Sequence, residues 1–372
     1  MTRARDIASA TTPNANAALL ATFPHKNLII NGAMQVAQRG TSATASSGYH
    51  AIDRFQFTVA NMDNAAYTYV QSSVAPTGFS KSWRIDCTTV ESALAADEYS
   101  TFTQAIEAQN LQQISNGSSA AKSLTLSFYV KSNKTGTWGL NLYKPDSTSR
   151  QITATYTISS ADTWEYKTIT FAGDTAGGGI ANDNGAGLYV YWGLAAGSNY
   201  TSSDSTSWSN YSNAGFLYGH NVNFFDSTAN DWAVTGVQLE VGEQATPFEH
   251  EDFGTTLAKC QRYYFRQEYD TAIPYLGAGA VYRNTLAMLI MNLPVAMRAA
   301  PTAIDQSGTA SHYGSWGNEA TTNCSAVPTI RAGDSKTSVN VDLTFNTLNS
   351  ATGTYVYRIA NTSGYLGVSA EL

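Results

Sequence analysis

The sequence predicts an all-β chain: an antiparallel, jelly-roll-like β-sandwich, followed by a short helix and a second, smaller β domain. Three observations predict it. Charged residues make up only 13% of the 372 positions while apolar residues make up 43%, so the polar surface must be built from Ser, Thr, Asn and Gly, not from the Lys and Glu that line helix faces. The 22 Tyr, 14 Phe and 29 Gly favour strands joined by tight turns. Apolar residues alternate with polar ones in run after run, the period of a strand with one buried face.

Residues 1–26 open with Arg3-Ala4-Arg5-Asp6, are rich in Ala, Thr and Asn, and carry Pro13 and Pro24 as breakers. Such a segment has too little apolar content for a core of its own and is expected to be an arm that docks on a partner chain. Residues 27–250 carry the alternation. Leu124, Leu126, Phe128 and Val130 share one face, as do Trp138, Leu140 and Leu142, then Leu188, Val190 and Trp192. Turn clusters separate these runs, among them Asn133-Lys134-Thr135-Gly136 and Gly177-Gly178-Gly179, the punctuation of an antiparallel sandwich. From about Thr255 to Tyr264, Leu257, Cys260 and Tyr264 fall at helical spacing. The helix opens a third region, 251–372, in which Val339, Val341, Leu343 and Phe345 again alternate.

Composition also excludes partners and chemistries. The formal net charge of −7 is the wrong sign for a nucleic-acid surface. The best apolar stretch, Ala287 to Met297, is interrupted by Asn292 and Pro294 and is too short for a membrane helix. A weak apolar run at Ala17 to Ala21 falls below the core of a signal peptide, so synthesis and assembly in a cytosol are expected. Cys87, Cys260 and Cys324 are odd in number and far apart; they read as buried thiols, not as a disulfide framework or a zinc cluster. No nucleophile elbow, zinc-protease helix, P-loop or EF-hand loop is present, so an enzyme is not expected, and a carboxylate-dependent polysaccharide depolymerase is the enzymatic rival.

Three stretches resemble a recurrent bacteriophage virion-protein pattern. The first runs from Asn27 through Ile30-Asn31-Gly32 to Gly40-Thr41, with Tyr49 and Asp53-Arg54-Phe55 after it; the second is Val237-Gln238-Leu239-Glu240-Val241-Gly242, then Ala245-Thr246-Pro247-Phe248-Glu249 and Cys260-Gln261-Arg262-Tyr263-Tyr264; the third is the ending on Ala370-Glu371-Leu372. Proteins with this pattern are similar to phage tail fibres, other tail proteins and minor virion proteins, with a central portion resembling a carbohydrate-binding-module jelly roll. The resemblance implies a virion component made in the host cytoplasm, attached to other virion proteins through the 1–26 arm, homotrimeric, and involved in host attachment. A capsid decoration or vertex protein and a free carbohydrate-binding module are the non-enzymatic rivals. In the motifs themselves, Asn31-Gly32 is expected to turn the chain, Asp53-Arg54 to form a charge pair, and Pro247 to stop the strand at 237–241.

Two aromatic clusters are candidate sites. Tyr189, Tyr191, Trp192, Tyr200, Trp208 and Tyr211 lie among Ser, Asn and Asp, a mixture suited to glycan, to a subunit contact or to ordinary packing. Tyr263, Tyr264, Phe265 and Tyr269 follow the helix and are the candidate oligomer contact. Asp174, Asn182 and Asp183 read as a solvated acidic turn, with calcium ligation as the alternative; no cofactor or metal is expected.

Overall fold

The computed structural model describes residues 26–44, 47–268, 275–317, 320–331, 335–348 and 355–372, so the expected 1–26 arm, apart from Lys26, lies outside the described residues. The chain forms two compact units, one reaching Phe253 and also including Leu372, the other Gly254–Glu371.

Among the described residues the first unit holds thirteen strands: β1 (Ser42–Thr44), β2 (Gly48–Tyr49), β3 (Gln56–Ala60), β4 (Ala66–Ser72), β5 (Ser82–Thr89), β6 (Tyr99–Glu107), β7 (Leu124–Ser132), β8 (Gly136–Lys144), β9 (Arg150–Ile158), β10 (Glu165–Phe171), β11 (Ala186–Ala196), β12 (Ser209–Asn210) and β13 (Asp231–Val241). They make two antiparallel sheets, six strands in the order β1-β4-β5-β13-β7-β10 and seven in the order β12-β9-β8-β11-β6-β3-β2. The predicted jelly-roll-like sandwich is therefore present, with strands distant in sequence paired in the middle of each sheet.

Alternation aims the predicted side chains inward. Leu126, Phe128 and Val130 of β7, Trp138, Leu140 and Leu142 of β8, and Leu188, Val190 and Trp192 of β11 are all buried. Aromatic rings fill the space between the sheets. Trp83 stacks on Phe102 at 4.4 Å and meets Trp232 edge-on at 6.0 Å, and Phe128 meets Trp192 at 5.8 Å. Each ring of this aromatic spine contributes roughly 1.5–3 kcal/mol of burial.

The first two motif stretches, over 200 residues apart, close on each other. Asn27 donates through Nδ2 to the Val237 carbonyl and accepts from the Leu239 N–H, Leu28 N–H donates to the Leu239 carbonyl, and Val237 N–H donates to the Gly32 carbonyl. Lys26 Nζ reaches Thr246 and the Pro247 carbonyl, and Asn27 N–H donates to Glu249. Asn31 takes the left-handed φ of 62° at the turn, while Gly32 is demanded by proximity: a Cβ there would sit 2.0 Å from the Val237 oxygen. The turn expected at Asn31-Gly32 is present, with the two residues in exchanged roles. Asp53 accepts from the Gln38 backbone and side chain, and Arg54 donates to the Ala105 carbonyl. β13 ends at Val241, six residues before Pro247; Gly242, at φ 131°, turns the chain out of the sheet where Pro247 was expected to.

A helix, Phe253–Gln261, begins at the last residue of the first unit's main stretch and leads into the second unit, shorter at its C-terminal end than the spacing predicts. Its last turn tightens as Tyr263 N–H reaches back to the Cys260 carbonyl, and Tyr264 then begins a strand, Tyr264–Glu268, that pairs with Tyr365–Ser369. Tertiary pairing overrides the helical period there. A three-stranded sheet and a seven-stranded antiparallel sheet complete the unit. Val339, Val341, Leu343 and Phe345 are buried as the alternation requires, and Cys87, Cys260 and Cys324 are buried.

Candidate functional site

The outer face of the first unit's seven-stranded sheet carries a row of tyrosines. In β11, residues opposite in parity to the core set point outward, and register places Tyr189 beside Tyr143 of β8 and Tyr191 beside Asn141 of β8 and Thr103 of β6. The segment after β11 folds back over the sheet, passing through a single helical turn, Ser198–Thr201, and β12. It can lie close because Gly139 and Gly193 present no side chain: a Cβ on either would press within about 3 Å of Leu217 or His220. His220 accepts the Gly139 N–H at Nδ1 and donates from Nε2 to the Val222 carbonyl; burial pulls its pKa down to about 4, so it is a neutral structural bracket. Gln151 donates to the Ser212 carbonyl, and Ser205, bonded to Thr153, donates to the Gly215 carbonyl.

This fold-back adds Tyr200, Tyr211 and Phe216 to the sheet's own tyrosines. Tyr143 lies 4.9 Å from Tyr211 and 5.8 Å from Tyr189, Tyr189 lies 5.8 Å from Tyr191, and Tyr191 meets Phe216 at 5.0 Å. Tyr99, at the head of β6, closes the row against Tyr200 at 4.7 Å. The platform is open to solvent, most at Tyr211, 39% exposed. Burial pushes the Tyr191 phenol far above its ordinary value, with its tyrosine neighbours adding to the effect, and pushes Tyr211 up to about 12. Each of these side chains presents a flat apolar face, the tyrosines with a hydroxyl at its tip, a surface that stacks rings and exchanges hydrogen bonds with hydroxyls.

Four of the six residues predicted for this cluster meet on the platform. Trp192 does not: it is fully buried between Phe102 and Phe128. Trp208 does not either, and lines a separate cleft. Tyr99, Tyr143 and Phe216 were missed, since only strand pairing and the fold-back bring them in. In the second cluster Tyr263 and Tyr264 are buried and Phe265 packs partly buried against the second unit's core, so the exposed surface expected of Tyr263 and Tyr264 is absent; Tyr269 lies outside the described residues. Asp174 is not a solvated turn residue. Its side chain is buried, both carboxylate oxygens face Arg150 Nε at 3.0 and 2.8 Å, and among the described residues no His, Cys, Asp or Glu cluster is arranged to hold a metal. No helix among them is long and apolar enough to cross a membrane.

A further surface ring cluster sits on the outer face of the six-stranded sheet. Phe79 contacts Tyr129, Phe248 and His250, and Tyr166, 48% exposed, contacts Tyr129.

Neither family models nor curated proteins match the chain. Similar solved structures include the enzymatically active domain of tailspike protein 4 of bacteriophage CBA120, at 13% identity and TM-score 0.31 over 59% of this chain, a match that spans 22% of that longer chain. A family 11 carbohydrate-binding module from Clostridium thermocellum, solved with a β-1,3-1,4-mixed-linked tetrasaccharide, aligns at 9% identity and TM-score 0.29 over 55% of this chain and 98% of its own. The CBM22-1 xylan-binding domain of Paenibacillus barcinonensis Xyn10C aligns at 10% identity and TM-score 0.24 over 56% of this chain and 100% of its own.

Proposed function

We propose that the chain is a non-enzymatic structural component of a phage virion, a tail fibre or tail-associated protein, that contributes to host attachment by binding surface glycan. The observation that carries the glycan reading is the platform of Tyr143, Tyr189, Tyr191 and Tyr211 with Tyr99, Tyr200 and Phe216, half-open, uncharged and held rigid by the fold-back. Rigid aromatic faces with polar tips bind rings at little cost in side-chain ordering. The virion reading is supported by the motif stretches, whose first two members form the hydrogen-bonded clasp between Lys26–Gly32 and Val237–Glu249. The 1–26 arm attaches the chain to other virion proteins, and the assembly is a homotrimer, a number taken from the resemblance alone.

Purified protein should bind host cells or their extracted surface polysaccharide, the paired change Tyr189→Ala and Tyr211→Ala should weaken that binding at least tenfold, and neither protein should release reducing ends. Equal binding by the double variant, or polysaccharide cleavage by the wild type, would overturn the reading. Labelling of the chain in intact particles tests the virion assignment: label confined to the tail supports it, and label on the capsid or on no part of the particle refutes it.

A further inference from the structure

The two sheets part at one open edge of the sandwich, between β9 and β10, and leave a cleft of about 550 Å³, within the range of small-ligand sites. Its floor is apolar, made by Ile152, Ala154 and Phe171, and the Trp208 indole stands on its rim. The indole cannot swing freely, because Nε1 donates to the Ala172 carbonyl at 2.6 Å. Hydroxyls of Thr175, Thr206 and Ser207 stand around the opening.

One end of the cleft is closed by the Arg150–Asp174 pair. Their side chains are 11% and 0% exposed, and the guanidinium is engaged on every side: Nε on Asp174, Nη1 on Asn210 Oδ1 at 3.2 Å, Nη2 on the Trp208 carbonyl at 3.0 Å. Asp174 also accepts the Ala176 N–H. The pair neutralises itself, so the cleft offers neither a spare cation for a phosphate or uronate nor a spare carboxylate for a cation.

An apolar floor, a fixed indole, encircling hydroxyls and a neutral polar end match a molecule that is apolar on one face and hydroxylated around its edge. We infer that this cleft is a second binding site, separate from the tyrosine platform, and that it takes one neutral pyranose ring. The segment from Trp208 to Tyr211 supplies an aromatic to each site, Trp208 to the cleft and Tyr211 to the platform, with β12 between them. The cleft rests on the same ligand class as the proposed function, and the test separates the two.

The probe is an array of immobilised neutral hexose and pentose oligosaccharides, with oligogalacturonate as the acidic control, followed by titration calorimetry on the bound species. Two cleft variants are made. Trp208→Ala removes the indole; Thr175→Trp blocks the mouth from an exposed position and spares the core. Near-ultraviolet circular dichroism confirms their folding. Each should lower affinity for a neutral oligosaccharide at least tenfold, and the Tyr189→Ala, Tyr211→Ala double variant should retain weak binding accompanied by a tryptophan fluorescence change. Unchanged affinity in both cleft variants would refute the cleft while leaving the platform standing. Unchanged affinity in the platform variant alone would refute the platform and leave the cleft. Preference for oligogalacturonate, or no binding by the wild type, overturns the cleft as stated.

Discussion

Two aromatic populations share the first unit, separated by nothing more than strand parity. Inside, Trp83, Trp138, Trp192 and Trp232 pack with Phe57, Phe102 and Phe128, all under 3% exposed. Outside, on the outer face of the first unit's seven-stranded sheet, the sheet's own row of clustered rings is made of tyrosines. In β11 the switch happens residue by residue, with Val190 and Trp192 facing in and Tyr189 and Tyr191 facing out. Ring area serves cohesion on one side of the backbone; on the other it is tipped by a hydroxyl and partly open to solvent. The two sets should therefore respond to substitution in opposite currencies, stability inside and binding outside.

The largest effect expected is inside. Trp232→Ala removes a ring touching Trp83, Phe102 and Trp138 and the indole bond to Tyr156, and should cost about 4 kcal/mol in urea unfolding; a loss under 1 kcal/mol would mean that the spine is not cohesive. Asp174→Ala should cost about 3 kcal/mol, because it leaves the Arg150 guanidinium buried without its carboxylate, and the same denaturation series checks it.

Acid should act through His220, the bracket beneath the platform. Its folded pKa of about 4 lies below the unfolded value, so the folded state binds fewer protons between these values, and stability is full above about pH 6.5 and falls as pH drops towards 4. About 3 kcal/mol rides on this site, and the acid limb should flatten in His220→Gln. Alkali acts on the platform with the opposite sense. Tyr211, at about 12, stays protonated where an unfolded tyrosine ionises, so its contribution is present below about pH 10 and lost as pH rises towards 12; tyrosinate absorbance should show a class titrating near 12 that Tyr211→Phe removes. The smallest expected stability change is Tyr189→Ala, within about 1 kcal/mol, with a roughly tenfold loss of glycan affinity. A large stability loss there would make the platform part of the core.

Strand parity made much of this legible in advance. The β7, β8 and β11 core faces follow from alternation alone, and the same alternation assigns Trp192 to the interior, although its proximity to Tyr189 and Tyr191 in sequence groups it with them as a candidate contact. Proximity along the chain was the misleading signal. Tyr99 and Tyr143 were illegible because nothing local to them reports that β6 and β8 flank β11; that is a long-range pairing. Burial of Thr125 and Ser127, on the polar face of β7, was hidden for a similar reason: later chain returns across that face, and Thr125 donates to the Gly242 carbonyl. Tyr264 was read at helical spacing, yet it opens a strand whose partner, Tyr365–Ser369, lies a hundred residues away.

The clasp between Lys26–Gly32 and Val237–Glu249 has a mechanical consequence. It puts the points where the backbone enters and leaves the sandwich side by side. Tension along the chain then runs in through Asn27 and out past Glu249 without crossing the sandwich's interior, and the load falls on a handful of hydrogen bonds at one corner. As long as those hold, the strands of the sandwich ride on the line of force as a side load.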